Sequence, residues 1–520
     1  MIEERWFALG KASDYANLDG VDFREYQFNI IRSIFSGKNT LVILPTGLGK
    51  TLIGVFAMAK AIADGKKAMF LSPTKPLSEQ HYETLKRSLK INDGGMALLT
   101  GALGTKKRKV AEDSAQVMVA TPQTVMNDMK KGSLSLDDFG VIVFDECHRA
   151  VGKYAYTYVA NEAWLKGTQI LGLTASPGSK KEKIEDLLAT LHINRIEIRA
   201  STDPDVAGYV MAKEMRVISV QKSHRIEEAA DLLKPLIEEN MSVLKKLGLM
   251  PFKRFESMPK GSLIGIGDEI RKLQAPNYRF AAMAAYIKLL NLTHAYDMLE
   301  TEGFYPFSSY LHSLYAKEKK SKALESLLRN EGFGEAKRII DSAIEKGEEH
   351  PKVTELIGLL NARKGRKAIV FAQYRSTITM LVKKLVDSGL NARAFVGKRD
   401  GVTQEAQKQT IEDFRRGAFD VLVSTSIGEE GLDIPNVDTV IFYEPISSEI
   451  RNIQRKGRTG RHYSGEVIFM MARGTKDEIY FFMSKRKEAK MMRTVENVKR
   501  ELDKENRLER SLSAGQHRLL

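Results

Sequence analysis

One cysteine, Cys147, is the whole thiol content of a 520-residue chain. No internal disulfide can form, which points to a reducing compartment and a cytoplasmic location. Cys/His clusters of zinc spacing are missing too. No run approaches the roughly 18 apolar residues of a membrane span, so no membrane association is expected. The N-terminus, MIEERWFALG, is acidic and has no long apolar stretch, so no secretory signal is read. Nor is the chain poor in apolar residues, as a disordered class would be: they make up 43% of it, ample for packed cores. What it has in excess is positive charge, +15 with a pI near 9.4. That favours a polyanionic partner such as nucleic acid, although charge alone fits a merely soluble basic protein equally well. At this length about three domains are expected.

The organising stretch is Leu41 to Thr51, LVILPTGLGKT. Leu41 to Leu44 suit a strand buried on both faces of a parallel sheet. Pro45, Thr46, Gly47, Leu48 and Gly49 form a turn, and Lys50-Thr51 open a helix with Ile53, Phe56, Ala57 and Lys60 at helical spacing. Strand, loop and helix N-terminus make an anion site, with Lys50 placed for β/γ-phosphates and Thr51 for Mg²⁺. The strict G-x-x-x-x-G-K-[ST] pattern is not met, because Leu44 stands at its first Gly. Upstream, Arg24 and Gln27 lie one turn apart on an amphipathic helix. Gln can pair with both the donor and the acceptor edge of adenine and Arg can stack on the base, but alone they read rather as two solvated polar residues on a surface helix.

Three further strands end in Ser72-Pro73-Thr74 (with Gln80 on the next helix), Thr100-Gly101 and Thr121-Pro122-Gln123. Hydroxyls and free N–H groups at C-terminal strand edges suit a phosphodiester backbone. VIVFDECHRA is stronger: Asp145 and Glu146 arrive at the sheet edge, one to hold Mg²⁺ and the other to orient attacking water. A strand ending in Thr174-Ala175-Ser176 could sense the γ-phosphate. From 221 to 347 strand-like runs give way to helical periods, with a basic segment (Lys245, Lys246, Lys253, Arg254, Lys260, Arg271, Lys272, Arg279) that reads as a nucleic-acid clamp or a solvated face, the clamp preferred. Strands return at 365–375, 390–397, 419–426, 437–445 and 465–473, a second βαβ domain with no phosphate loop of its own. QRKGRTGR places Arg458 and Arg461 on one helix turn. Guanidinium groups entering a neighbouring nucleotide site stabilise transferred phosphoryl charge; on their own they read as surface or nucleic-acid-binding arginines. The tail from Ile479 is a charged helix with Val495, Val498 and Leu502 on one stripe.

Taken in order, RxxQ (24–27), PTGLGKT (45–51), SPTKPL (72–77), TG (100–101), TPQT (121–124), DECH (145–148), TAS (174–176), FAQYR (371–375), STSIGEEGLDIP (424–435) and QRKGRTGR (454–461) resemble the superfamily 2 helicases over nearly the whole chain. That superfamily usually lacks the first Gly of the phosphate loop. DECHRAVGKYAY and the helical insertion look like the archaeal Hef and eukaryotic FANCM group, DNA translocases of forks and branched junctions. Dicer and the innate-immune RNA sensors share the architecture and bind duplex RNA. The resemblance implies an α/β fold of two RecA-like parallel-sheet domains with an all-helical insertion between them. The boundaries expected are 1–220 for the first domain, 221–347 for the insertion, 348–478 for the second domain and 479–520 for a basic helical tail.

It also implies ATP and Mg²⁺, with Arg24 stacked on adenine, Gln27 reading its edge, Lys50 on the phosphates, Thr51 and Asp145 on the metal, and Glu146 as base. Gly431 and Asp433 would contact the ribose side, and Gln454, Arg458 and Arg461 would close on the triphosphate. Pro73, Thr74, Gln80, Thr100, Gly101, Thr121, Gln123, Gln373 and Thr425 would line the strand track, while His148, Thr174 and Ser176 would couple it to the nucleotide. Cys147 replaces the commoner Ala, a small-for-small change expected to be harmless. The expected activity is ATP-dependent movement on forked, branched or single-stranded DNA in fork repair. The alternatives are an RNA-duplex-directed ATPase and a nucleotide-gated binding scaffold. A separate nuclease or a sliding clamp is the partner class implied; nuclease activity is not expected of residues 1–520.

Overall fold

The computed structural model describes residues 10–17, 19, 23–200, 202–207, 209, 214–252, 254–256, 258, 260–397, 402–425, 435, 437–446 and 465–516. Thirteen strands are found among them: β1 (Thr40–Ile43), β2 (Lys67–Leu71), β3 (Met96–Leu99), β4 (Val117–Ala120), β5 (Phe139–Phe144), β6 (Gln169–Thr174), β7 (Arg195–Ile198), β8 (Glu214–Val220), β9 (Ala368–Phe371), β10 (Ala392–Phe395), β11 (Val421–Ser424), β12 (Thr439–Phe442) and β13 (Glu466–Ala472). They form a seven-stranded sheet, β3-β4-β2-β5-β6-β1-β7, and a six-stranded sheet, β10-β11-β9-β12-β13-β8. Neighbours pair parallel throughout.

The continuous apolar runs explain the parallel sheets, since both faces are covered. Alternate residues of β1 and β2 go to opposite cores. Leu41, Ile43, Met69 and Leu71 join one cluster, and Val42, Leu44, Ala68 and Phe70 the other. The helix Lys50–Ala63 lies on the second face with nine of its fourteen residues buried. Gly54 lets it approach closely, because a Cβ there would stand 3.1 Å from Phe70.

Residues 221–347 are helical through most of their described length and hold their own core, from Ile226 to Ala343. A correction concerns the boundary at 220. β8 belongs to the second sheet, paired along its whole length with β13 (Glu214↔Glu466 to Val220↔Ala472), so the first domain ends before it. β8 is an edge strand, exposed over its first half, and its pairing partner comes far later in the chain.

The insertion is locked to the second domain by buried polar groups around a π-helical turn, Met298–Glu302. Thr377 Oγ1 donates to the Glu302 carboxylate at 2.8 Å and Tyr443 Oη to the Glu302 carbonyl at 2.9 Å. Lys476 pairs with Asp297 across the same boundary at 2.8 Å, and two further pairs brace its sides, Lys222 with Glu300 (3.0 Å) within the insertion and Lys352 with Asp477 (2.9 Å) within the second domain.

His350 is fully buried here, 3.1 Å from the Glu300 carbonyl, and burial with the nearby Lys352 charge depresses its pKa to about 3. A histidine near 6.5 unfolded but about 3 folded stabilises the fold above pH 6.5 and loses that contribution as pH falls, at about 1.4 kcal/mol per unit. Urea unfolding at pH 7 and pH 5 should therefore show the wild type losing roughly 2 kcal/mol more than His350→Asn. Equal losses would remove the assignment.

The helix Lys476–Gln516 leaves the second domain and crosses to the first. Its Met491, Val495 and Val498 are buried in the first domain's core, Lys181 pairs with Glu501 at 2.8 Å, and Lys499 Nζ donates to the Ile196 carbonyl at 2.6 Å.

Candidate active site and strand track

The C-terminal ends of β2, β3, β4 and β5 are level, with Leu71 opposite both Ala120 and Phe144 and Leu99 opposite Ala120. Residues just beyond them therefore share one edge, where parallel sheets place ligands. Ser72, Pro73, Thr100, Thr174 and Ser176 are buried there, Thr74, Gln80 and Thr121 are half-buried, and Gly101 and Gln123 are exposed.

The phosphate loop is set by left-handed backbone at Gly47 (φ 89°) and Gly49 (φ 78°). Gly49 caps the helix Lys50–Ala63, and a Cβ there would lie 2.3 Å from Gln27 Nε2. Gln27 is itself buried. Its Nε2 donates to the Leu48 carbonyl at 3.2 Å and its Oε1 accepts from Arg24 N at 3.0 Å. Tyr26 Oη donates to the same Leu48 carbonyl at 2.8 Å. So Tyr26 and Gln27 hold the loop, while Arg24 faces the Tyr209 ring at 5.3 Å. Lys50 Nζ donates to the carbonyls of Leu44 (3.1 Å) and Pro45 (3.5 Å), which places its ammonium at the mouth of the loop.

Asp145 follows β5 and is buried. Burial would raise its carboxyl, but the hydrogen bond from His81 (3.0 Å), with the charges of His81 and Lys50, holds it below its ordinary value. It is thus ionised at neutral pH and fits a divalent cation. Magnesium carried by a triphosphate needs only one or two protein oxygens, which the Thr51 hydroxyl and Asp145 could supply.

Glu146 has left-handed backbone (φ 47°), which costs a non-glycine residue about 1–2 kcal/mol. It opens the short 3₁₀ turn Cys147–Arg149. Its Oε2 lies 3.3 Å from His148 Nδ1, which is 3.0 Å from Thr174 Oγ1. Thr174 Oγ1 also accepts from Ser176 N at 3.1 Å. Burial, then the Arg149 charge, depresses His148 to about 4, so it is neutral at neutral pH. Glu146, His148, Thr174 and Ser176 thus stand side by side, with His148, Thr174 and Ser176 joined by hydrogen bonds. Beyond them, Ser176 Oγ donates to Met491 Sδ of the crossing helix at 2.9 Å. Cys147 is buried against β6, where a Cβ on Gly172 would lie 3.1 Å from its Sγ.

Two side chains given no role by the sequence stand beside this carboxylate pair. His81, next to Gln80, reaches Asp145 across the sheet edge. Tyr156 donates to the Asp145 carbonyl at 2.7 Å and the Leu71 carbonyl at 3.2 Å. Only the juxtaposition of Gln80-His81 and the tail of DECHRAVGKYAY hinted at either. Tyr156→Phe leaves the Asp145 carbonyl without that donor. It should cost about 1–2 kcal/mol in urea unfolding and lower ATPase kcat several-fold; unchanged values in both would show the hydroxyl to be idle.

In the second domain Gln373 is exposed, its backbone N–H held by the Glu444 carboxylate, and Thr425 N donates to the Phe395 carbonyl at 3.3 Å. The two domains meet where Lys408 pairs with Glu79 at 3.0 Å, one residue from Gln80. Gly431, Asp433, Gln454, Arg458 and Arg461 lie outside the described residues.

Residues 24–184 match the DEAD/DEAH box helicase family and 351–463 the helicase conserved C-terminal domain. The helicase domain of Pyrococcus furiosus Hef superposes with a TM-score of 0.72 and 38% identity, over 90% of this chain and 100% of that one. The chain belongs to the Hef/FANCM group of superfamily 2 helicases. Among its relatives, the ATP-dependent DNA helicase mph1 of Neurospora crassa is 34% identical over 511 residues, 91% of this chain and 43% of that protein. A Methanocaldococcus jannaschii protein named as an ATP-dependent RNA helicase is 34% identical over 488 residues, 92% of this chain and 61% of that protein. The chain thus spans roughly half the length of these two relatives. No helix among the described residues is long and apolar enough to cross a membrane.

Proposed function

We propose that this chain is an ATP-dependent DNA helicase or translocase that acts on forked or branched DNA. The reading rests on one convergence: Lys50, the ionised Asp145 and the neighbouring Glu146, His148 and Thr174 side chains meet at a single sheet edge, beside the hydroxyl-lined ends of β2, β3 and β4. Lys50 leaves its loop carbonyls for phosphate, and Thr51 and Asp145 hold the metal. Bound magnesium supplies charge neutralisation on the triphosphate. Glu146 takes the proton of attacking water, with Gln454, Arg458 and Arg461 contributed by the second domain. Arg24 and Gln27 recognise adenine, and Gly431 and Asp433 the ribose.

Pro73, Thr74, Gln80, Thr100, Gly101, Thr121, Gln123, Gln373 and Thr425 grip the strand largely through its phosphates, so stepping is sequence-independent. His148, Thr174 and Ser176 carry the nucleotide state to that grip. The insertion holds the duplex arm. A nuclease or a sliding clamp as partner belongs to the same proposal, tested by co-sedimentation with each on forked DNA.

The names of relatives divide between DNA and RNA, which supports keeping duplex RNA as the second substrate class. ATPase rates with single-stranded, duplex, forked and four-way DNA and with duplex RNA decide the matter. Forked DNA should stimulate most. Stronger stimulation by duplex RNA would overturn the DNA reading, and none by any nucleic acid would favour a nucleotide-gated scaffold.

A further inference from the structure

The helix Lys260–Lys272 and the helix Pro276–Asp297 are joined by three residues into a hairpin within the insertion. They pack closely at Gly267, where a Cβ would meet the Tyr286 hydroxyl at 2.8 Å. The longer helix is anchored from Ala282 onward, with Ala282, Ala285, Leu289 and Leu292 buried. Its first turns are not. Of residues 271–281 only Leu273 is not exposed.

This tip carries two large aromatic side chains in open solvent, Tyr278 at 62% and Phe280 at 69% exposure. At about 100° per residue they lie roughly 200° apart, on opposite flanks of one helix. Arg279 stands between them. The stretch 271–280, RKLQAPNYRF, has three basic residues and no acid. Arg271 and Lys272 are paired along their helix with Asp268 (2.7 Å) and Glu269 (2.6 Å), exposed contacts that a phosphate displaces at little cost.

We propose that this tip is a wedge for unpaired bases at a DNA branch point, Tyr278 stacking on a base of one arm and Phe280 on a base of the other. Arg271, Lys272 and Arg279 hold the flanking phosphates. Rings stack on any base, so the wedge recognises splayed strands and not sequence. Charge complementarity and the paired, opposed rings favour nucleic acid over a protein partner. The inference rests on the DNA reading above and adds the feature of the substrate that the insertion senses.

The test uses the full chain and a forked DNA with 2-aminopurine at the first unpaired position of each arm. Wild type should quench both probes. Tyr278→Ala with Phe280→Ala should bind the fork about 10²-fold more weakly, roughly tenfold per ring, leave the probes unquenched, and keep single-strand-stimulated ATPase. Exchanging the rings, Tyr278→Phe with Phe280→Tyr, should restore fork binding, which a folding defect of the alanine variant would not predict. Unaltered fork affinity and quenching in the alanine pair would overturn the wedge. If instead the wild type itself shows no DNA-stimulated ATPase, it is the helicase reading that fails.

Discussion

Glu146→Gln should lower ATP turnover by about 10²–10⁴-fold, the range for a positioned general base, while ATP and DNA affinities stay within a few-fold of wild type. The amide has nearly the same shape, so the left-handed turn and its approach to His148 can persist; what is lost is the capacity to take a proton. Phosphate release at saturating ATP, with nucleotide and DNA binding measured alongside, reads the two quantities separately. Normal turnover would remove Glu146 from the chemistry. Lys50→Ala differs in kind, because it takes away the charge proposed to hold the phosphates and should weaken nucleotide binding as well.

Arg461→Ala carries the second large effect. A guanidinium supplied to a phosphoryl-transfer site from a neighbouring element is worth about 10³–10⁵ in kcat. Turnover should fall over that range with ATP binding retained, since the contact matters most when charge moves onto the transferred group. Arg461 lies in QRKGRTGR, inside the stretch matching the helicase conserved C-terminal domain. Single-turnover hydrolysis together with equilibrium ATP binding is the measurement, and an unchanged kcat would argue that the first domain works alone.

Much of the architecture was legible because it is local. Apolar runs such as Val141 to Phe144 mark doubly covered strands, and the glycines at 47 and 49 announce left-handed backbone before a helix. The helical insertion was visible from its period. What escaped the sequence is what distant residues do to one another. β8 falls inside the bounds expected for the first domain until β13 claims it. His81 reaches Asp145, and Tyr156 its carbonyl, through contacts that no spacing encodes. Gln27 looked like an adenine reader, yet its amide also braces the phosphate loop.

The crossing helix Lys476–Gln516 has a mechanical consequence. It is fixed at one end by Asp477 on Lys352 and farther along by Met491, Val495 and Val498 in the other domain, with Met491 on Ser176. The lobes therefore cannot swing apart like two halves joined only by a slack cord. Because Phe481 still sits in the second domain's core, any opening must flex the rod between residues 482 and 490 or draw Met491 off its seat. A fluorophore pair spanning that interval would report any parting of the lobes as bending.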